Sequence, residues 1–161
     1  MKPQTHKDPI DPHQFVAEAQ RITNTRDIAA LRQIFADNAI WTSTIDGIVI
    51  NAHGIGEIED YWLLMCRFMQ ARKIFVRKEL IAFDDGTLVS GWTGTGRGGS
   101  ASRGVEVWKF DANGLIINQR TDGFLNTAPD ASLCQSLRLL ATYPVNIATF
   151  GWLRFRVPRL Q

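Results

Sequence analysis

The chain is poor in the residues that build covalent or metal-held scaffolds. Its 161 residues include two cysteines, Cys66 and Cys134, and three histidines. The cysteines lie far apart and show no CxxC spacing, so neither a disulfide framework nor a zinc site is indicated, and a reducing cytoplasm is the expected location. His6, His13 and His53 make neither HxxxH nor HExxH, the helical pairings that hold catalytic zinc. Excess charge of one sign is equally scarce. Eighteen Lys plus Arg against sixteen Asp plus Glu leave a net +2, too little to recruit nucleic acid or an anionic bilayer. No stretch reaches the ~20 apolar residues that span a membrane, and the opening MKPQTHKDPI lacks the apolar core of a signal peptide. No serine sits in a nucleophile elbow. Gly94, Gly96 and Gly99 spell GxGxxG, but they precede a strand pattern instead of opening a helix, so they read as a hairpin turn and not as a dinucleotide site. No metal and no other cofactor is called for.

Apolar side chains, by contrast, are plentiful. They make up 45% of the sequence, enough for one sizeable core in a chain with no room for a second domain of similar size. Asp11-Pro12 predicts a helix start running to about Thr23, with Phe15, Ala19 and Ile22 at helical spacing. Ile28, Leu31, Ile34 and Phe35 repeat that pattern as a second short helix. Ile40 to Ile45 and Ile48 to Ile50 flank Asp46-Gly47 and predict a β-hairpin. After Gly54, the stripe Ile55, Ile58, Trp62, Met65 and Met69, widened by Tyr61, Leu64 and Phe68, predicts a third helix with a broad buried face. From Ile74 the period becomes two. Turn signals at Asp85-Gly86, Gly98-Gly99 and Asn113-Gly114 then divide the chain into strands over Ile74 to Phe83, Thr87 to Thr95, Ser102 to Phe110 and Leu115 to Phe124. Long strands joined by short turns form a meander that must twist to bury one face. A helix over Ser132 to Thr142 and an aromatic, basic tail follow. The expected architecture is α+β: a strongly curved, mainly antiparallel sheet in a cone-shaped barrel, covered by three helices from the first half of the chain. Residues 1–126 would form the pocket domain, and 127–161 an extension packing on it or on a partner subunit.

Three phrases carry a resemblance to a known family. DIAALRQIFADNAIW (Asp27 to Trp41), HGIGEIEDYW (His53 to Trp62) and VWKFDANGLI (Val107 to Ile116) resemble the second helix, third-helix entry and penultimate turn of the nuclear transport factor 2-like superfamily, which includes SnoaL-like polyketide cyclases and ketosteroid isomerases. The resemblance covers about Pro12 to Phe124. It implies a conical cavity, but the superfamily mixes several enzyme chemistries with proteins that catalyse nothing.

Alternation along Gly104, Glu106, Trp108 and Phe110 sets the Glu106 carboxylate on a face shared with two aromatics. Such surroundings favour its neutral form, making it a hydrogen-bond donor or a base. In ketosteroid isomerases the matching position holds the acid that donates to the substrate oxygen. The positions of their catalytic base and oxyanion tyrosine fall here on Ser43 and Ala19. The competing reading of Glu106 is a structural pair with Arg103 or Arg120. Asp122 lies near where SnoaL-like cyclases and similar epoxide hydrolases carry an acid-base aspartate, offset by one residue from the turn glycine Gly114. Its alternative is a rim aspartate held by Arg120. The other acid and the arginine of those hydrolases fall on Gly94 and Trp92, and no matching central histidine supports scytalone-dehydratase chemistry. Tyr61 and Trp62 occupy the turn where relatives place a ligand-binding tyrosine, so Glu106, Asp122 and Tyr61 are the candidate catalytic residues. Trp41, Ser43, Trp62, Met65, Phe68, Trp92 and Trp108 are the candidate ligand contacts, or simply core. The function expected is binding of a small hydrophobic, polycyclic ligand, with cofactor-free acid-base chemistry of the cyclase or isomerase type. The alternatives are a non-catalytic carrier and a protein-interaction module. Expected partners are that small molecule and a second copy of the chain, as a homodimer.

Overall fold

Asp11 starts the first helix for the reason its chemistry suggests. In the computed structural model, which describes residues 10–97, 100–125, 134, 141, 144–146, 148, 149 and 151–153, Asp11 Oδ1 accepts from the backbone N–H groups of His13 (2.9 Å) and Gln14 (3.2 Å). Two amides left free by helix geometry are thereby satisfied. Helix α1 (Pro12–Thr25) ends at Arg26, which takes the left-handed conformation and donates its N–H back to Ile22. The second helix, α2 (Leu31–Ile34), is shorter than its apolar spacing predicts. Phe35 already pairs with Ile116 in the sheet, so the chain extends one residue after Ile34, and β1 runs Phe35–Ile45 instead of starting at Ile40.

β2 (Ile48–His53) returns antiparallel to β1 through Asp46 and Gly47, both at positive φ (51° and 78°), as a tight hairpin demands. Helix α3 (Gly54–Arg72) then leads to β3 (Phe75–Asp84), β4 (Thr87–Thr95), β5 (Ala101–Phe110) and β6 (Ile116–Leu125). The strand order is β2-β1-β6-β5-β4-β3, antiparallel throughout except for the β1–β6 pair. The expected meander is present, with each strand within one residue of its predicted ends. Register shifts in the β1–β6, β3–β4 and β5–β6 pairs add local twist. The result is an α+β cone that curls without closing, since β2 and β3 remain its edges. α3 packs on β1 and β2, and α1 on β3.

The α1–β3 contact covers a sheet edge. Asn24 gives Nδ2–H to the Val76 carbonyl (2.7 Å) and accepts the Val76 N–H on Oδ1 (2.9 Å), and one turn earlier Gln20 accepts the Lys78 N–H (2.7 Å). Two helix amides thus stand in for the missing strand and fix the backbone at Val76 and Lys78. No helix among the described residues is long and apolar enough to cross a membrane. The helix expected over 132–142 and the turn at 98–99 lie largely outside the described residues.

Candidate functional site

A cavity of about 70 Å³ opens between α3 and the concave side of the sheet. α3 supplies Tyr61, Trp62, Met65, Phe68 and Met69; β1 supplies Trp41, Ser43 and Ile45; β3 adds Val76 and Lys78, and Trp92 comes from β4. Ser102 and Glu106 on β5, with Thr121 and Leu125 on β6, complete the sheet side. Eight of the ten residues expected from sequence therefore meet around one space: Glu106, Tyr61, Trp41, Ser43, Trp62, Met65, Phe68 and Trp92.

The other two do not reach it. The β5–β6 register runs unbroken from Asn118 to Leu125, which turns Gln119, Thr121 and Gly123 inward and Asp122 outward. Asp122 Oδ2 accepts from Arg120 Nε at 2.6 Å, with 43% of the Asp122 side chain exposed. Asp122 is thus a surface aspartate, because the register shift at Ile117, between Gly114 and Asp122, reverses which residues of β6 face inward. Trp108 shares the face of Glu106 but lies beyond the cavity. Its ring meets Phe15 edge-on at 5.2 Å, and its Nε1–H donates to Ser90 Oγ at 3.1 Å.

Glu106 is paired, though with neither arginine considered from sequence. Its Oε2 accepts from Lys78 Nζ in a close contact, with 9% and 4% of the two side chains exposed. Ser90 Oγ approaches the same oxygen at 3.4 Å, and the ammonium stands 5.5 Å from the centroid of the Trp108 ring, within cation–π range. No described donor binds Glu106 Oε1. Lys78 is the residue that sequence reasoning missed. Its only signal was the spacing Val76, Lys78, Leu80, which places a cation two residues from a buried valine.

The remaining polar groups divide into satisfied and unsatisfied. Tyr61 O–H donates to Ser43 Oγ at 3.0 Å, and burial pushes its phenol up to about 12, against a smaller opposing effect of that bond. Tyr61 is therefore a neutral donor near pH 7. Trp41 Nε1–H donates to Thr121 Oγ1 at 3.1 Å while its ring packs on Tyr61 and Trp62 at 4.9 and 5.7 Å. The indole nitrogens of Trp62 and Trp92 are buried and have no hydrogen-bond partner. Each such group costs about 1–3 kcal/mol. Among the described residues no cluster of three or more His, Cys, Asp or Glu side chains could hold a metal ion.

Residues 16–119 match the SnoaL-like domain. No curated protein matches the chain. Solved structures share the architecture. A protein of unknown function with a cystatin-like fold from Methylobium petroleophilum PM1 aligns with a TM-score of 0.56 at 20% identity, over 76% of this chain and 80% of that one. SalBIII, an epoxide hydrolase/cyclase-like enzyme of pyran ring formation in the polyether salinomycin, aligns at 0.53 and 18%, over 70% and 88%. A nuclear transport factor 2-like protein of unknown function from Burkholderia pseudomallei K96243 gives 0.52 and 20%, over 70% and 90%. At such identities these likenesses carry the fold and not the chemistry. The domain match, however, spans the chain from α1 into β6, and on that ground the chain belongs to the SnoaL-like domain family.

Proposed function

We propose that the protein binds a small, largely apolar carbonyl compound in this cavity and moves a proton on it without a cofactor, using Glu106 beside Lys78. The observation that carries this reading is the buried pair itself, set in the wall of an otherwise mainly apolar space. Buried ion pairs are a poor route to stability, because hydrophobic residues of similar volume serve as well or better. A pair at a cavity wall is better accounted for by chemistry. Glu106 Oε1 is the free acceptor. It would take a proton from the carbon next to the ligand carbonyl, the C–H electron pair would move toward the carbonyl oxygen, and the proton would return at the same or another atom. The Lys78 ammonium would stabilise the negative charge that develops. Tyr61 would hold Ser43 in place, not act as a base. Membership of the SnoaL-like family supports chemistry of the cyclase or isomerase type.

Proton abstraction can be tested before the natural substrate is known. In D2O, 1-indanone exchanges its α-protons slowly, and proton NMR follows the loss. The wild type is expected to accelerate exchange over buffer, and Glu106→Gln to lose roughly 10²–10⁴ of that acceleration. Exchange no faster than buffer while 1-indanone is bound would overturn the catalytic step. A second reading, a non-catalytic carrier, is favoured by the engagement of Glu106 Oε2 with Lys78. It would be supported by native mass spectrometry showing a small molecule retained unreacted through purification.

A further inference from the structure

The two ends of the hollow differ in charge. Beyond Glu106, Phe15 packs on Trp108 and Phe110 and fills the cone. At the other end Phe68, Ile74, Ser102 and Leu125 continue the cavity wall into a recess that also takes in Arg72, Gly96 and Ser100. The filled end carries Asp84 and Asp85, where β3 turns into β4, and Asp111, just after β5. The recess end carries Arg72 and Lys73, where α3 stops, and Arg97, just after β4. Among the described residues none of these three cations makes an ion pair or a side-chain hydrogen bond. Asp46, the acid that meets Leu125 at this end, accepts the Leu125 N–H at 3.1 Å. A net charge of +2 thus hides a separation along the cone, and such a field draws anions to the positive end.

The dipole of α3 accounts for only part of this. It favours cations in the last turn, which suffices for the exposed Lys73. Arg72 is partly buried and still has no partner. The fold is able to satisfy a guanidinium nearby: Arg26, at the end of α1, gives N–H groups to the carbonyls of Thr23 and Ile74, the latter at 2.7 Å. Beside Arg72 the β4–β5 connection is built to lie close. Gly96 N–H donates to the Ser100 carbonyl at 3.0 Å, and a Cβ on Gly96 would stand 2.7 Å from Ser100 Oγ and 3.1 Å from the Arg72 carbonyl oxygen. Gly96 does not have positive φ, so close approach, not backbone conformation, calls for glycine there. The missing side chain lets Ser100 and Arg72 share one recess.

We infer that Arg72, with the hydroxyl groups of Ser100 and Ser102, is a subsite for a carboxylate at the outer end of the ligand, so that the ligand is an apolar acid whose body lies in the hollow. This rests on the cavity being a ligand site, as proposed above. A guanidinium offers parallel donors that match both carboxylate oxygens, and the serines add neutral donors. One cation in the recess matches a single negative charge and would leave half of a phosphate dianion uncompensated. The inner end offers no equal place, because Lys78 is already neutralised by Glu106. Ser102 and Glu106 stand four residues apart on β5, about 13 Å, which sets the reach between the carboxylate of the ligand and its reacting end. Lys73 and Arg97 lie outside the recess and act at a distance, drawing the acid in.

The probes are 4-phenylbutyrate and 4-phenylbutyramide, which share a shape and differ in charge. Binding to the full-length protein is followed by tryptophan fluorescence at pH 7, in about 0.05 M and 0.5 M NaCl. The expected result is roughly tenfold tighter binding of the acid than the amide at low salt, with the ratio falling at high salt. Arg72→Gln should bring the ratio toward one while leaving amide affinity within about twofold of the wild type. Arg72→Lys keeps the charge without the planar fork and should give an intermediate ratio. Equal binding of the two compounds, tighter binding of the amide, or a ratio unchanged in Arg72→Gln would overturn the inference while leaving the cavity a ligand site. Binding of 1-indanone with neither phenyl compound bound would do the same. If none of the three compounds binds, the ligand-site reading falls and the inference falls with it.

Discussion

Removing Lys78 alone should damage the protein far more than removing the whole ion pair. In Lys78→Met the chain keeps nearly the same length and apolar volume, but Glu106 is left with 9% of its side chain exposed and only Ser90 Oγ nearby at 3.4 Å. An uncompensated charge at such a position costs about 3–5 kcal/mol, a large share of the roughly 5–15 kcal/mol that holds a domain together. For a chain of this length each kcal/mol shifts Tm by about 2–4 °C, so the midpoint should fall by roughly 6–20 °C. Glu106→Leu should cost less, because the stranded ammonium keeps the face of Trp108 at 5.5 Å. The double variant Lys78→Met/Glu106→Leu should return to within ~1 kcal/mol of the wild type, since two apolar side chains then meet where two charges did. Urea unfolding followed by tryptophan fluorescence measures all four proteins, with unchanged slopes as the check on two-state behaviour. The refuting result is additivity: a Lys78→Met protein within ~1 kcal/mol of the wild type, and a double variant no more stable than the sum of the singles. The stable double variant also separates stability from chemistry. It should fold normally and fail to accelerate 1-indanone exchange.

Asp122→Asn should leave 1-indanone exchange unchanged and alter stability by less than ~1 kcal/mol, because the Arg120 pair is solvent-exposed; a tenfold loss of exchange would return Asp122 to the mechanism. Burial raises the Cys66 thiol to about 11, a shift tempered by Arg26, whereas Cys134 is exposed. Iodoacetamide at pH 8 should therefore add one label to the native protein, at Cys134, and two labels on the native protein would contradict the packing around Cys66. Tyr61 has its phenol raised to about 12 from 10 by burial, so the folded chain holds a proton that the unfolded chain releases. The stability linked to Tyr61 is fully present below about pH 10 and is lost as pH rises toward 12. Tyr61→Phe should flatten that decline, and parallel alkaline stability curves for the two proteins would refute it. Gly123→Ala sets a methyl 2.5 Å from the Trp92 ring and should cost about 1–3 kcal/mol. Trp92→Leu in the same chain should recover part of this loss, and full additivity in urea unfolding would show that the ring does not lie where Gly123 leaves room.

What was legible in the sequence follows from where each signal was local. The Asp46-Gly47 and Asp85-Gly86 turns are set by two residues each, and both pairs adopt positive φ. The inward direction of Glu106 followed from strand alternation, which needs no tertiary information. Lys78 was hidden because β3 carries apolar residues on both faces. Phe75 and Ile81 are 52% and 57% exposed, so alternation could not say which side was inside. The backbone there is held by Gln20 and Asn24, more than fifty residues away in sequence. The strand parity of Asp122 was visible as an offset, but whether a bulge would absorb it depends on pairing that no local pattern encodes.

Trp108 shows why sharing a face is not the same as sharing a site. Along the inner face of β5, Ser102 and Glu106 line the cavity, while Trp108 and Phe110 do not. The reason is Phe15 on α1, whose ring meets Trp108 at 5.2 Å and Phe110 at 4.9 Å and fills that end of the cone. The hollow therefore stops at Glu106, and the Lys78–Glu106 pair stands where solid core gives way to open space. Toward the opposite end, Phe68, Ile74, Ser102 and Leu125 line both the cavity and a smaller recess that also holds Asn146. The Oδ1 of Asn146, like the two indole nitrogens, is buried without a partner. All three unsatisfied buried side-chain atoms of the described residues belong to residues that line the hollow or its adjoining recess. A core selected for stability alone would have scattered or removed them. The charged pair of Lys78 and Glu106 thus closes one end of the hollow, where Phe15 fills the cone, and the recess with Asn146 adjoins the other.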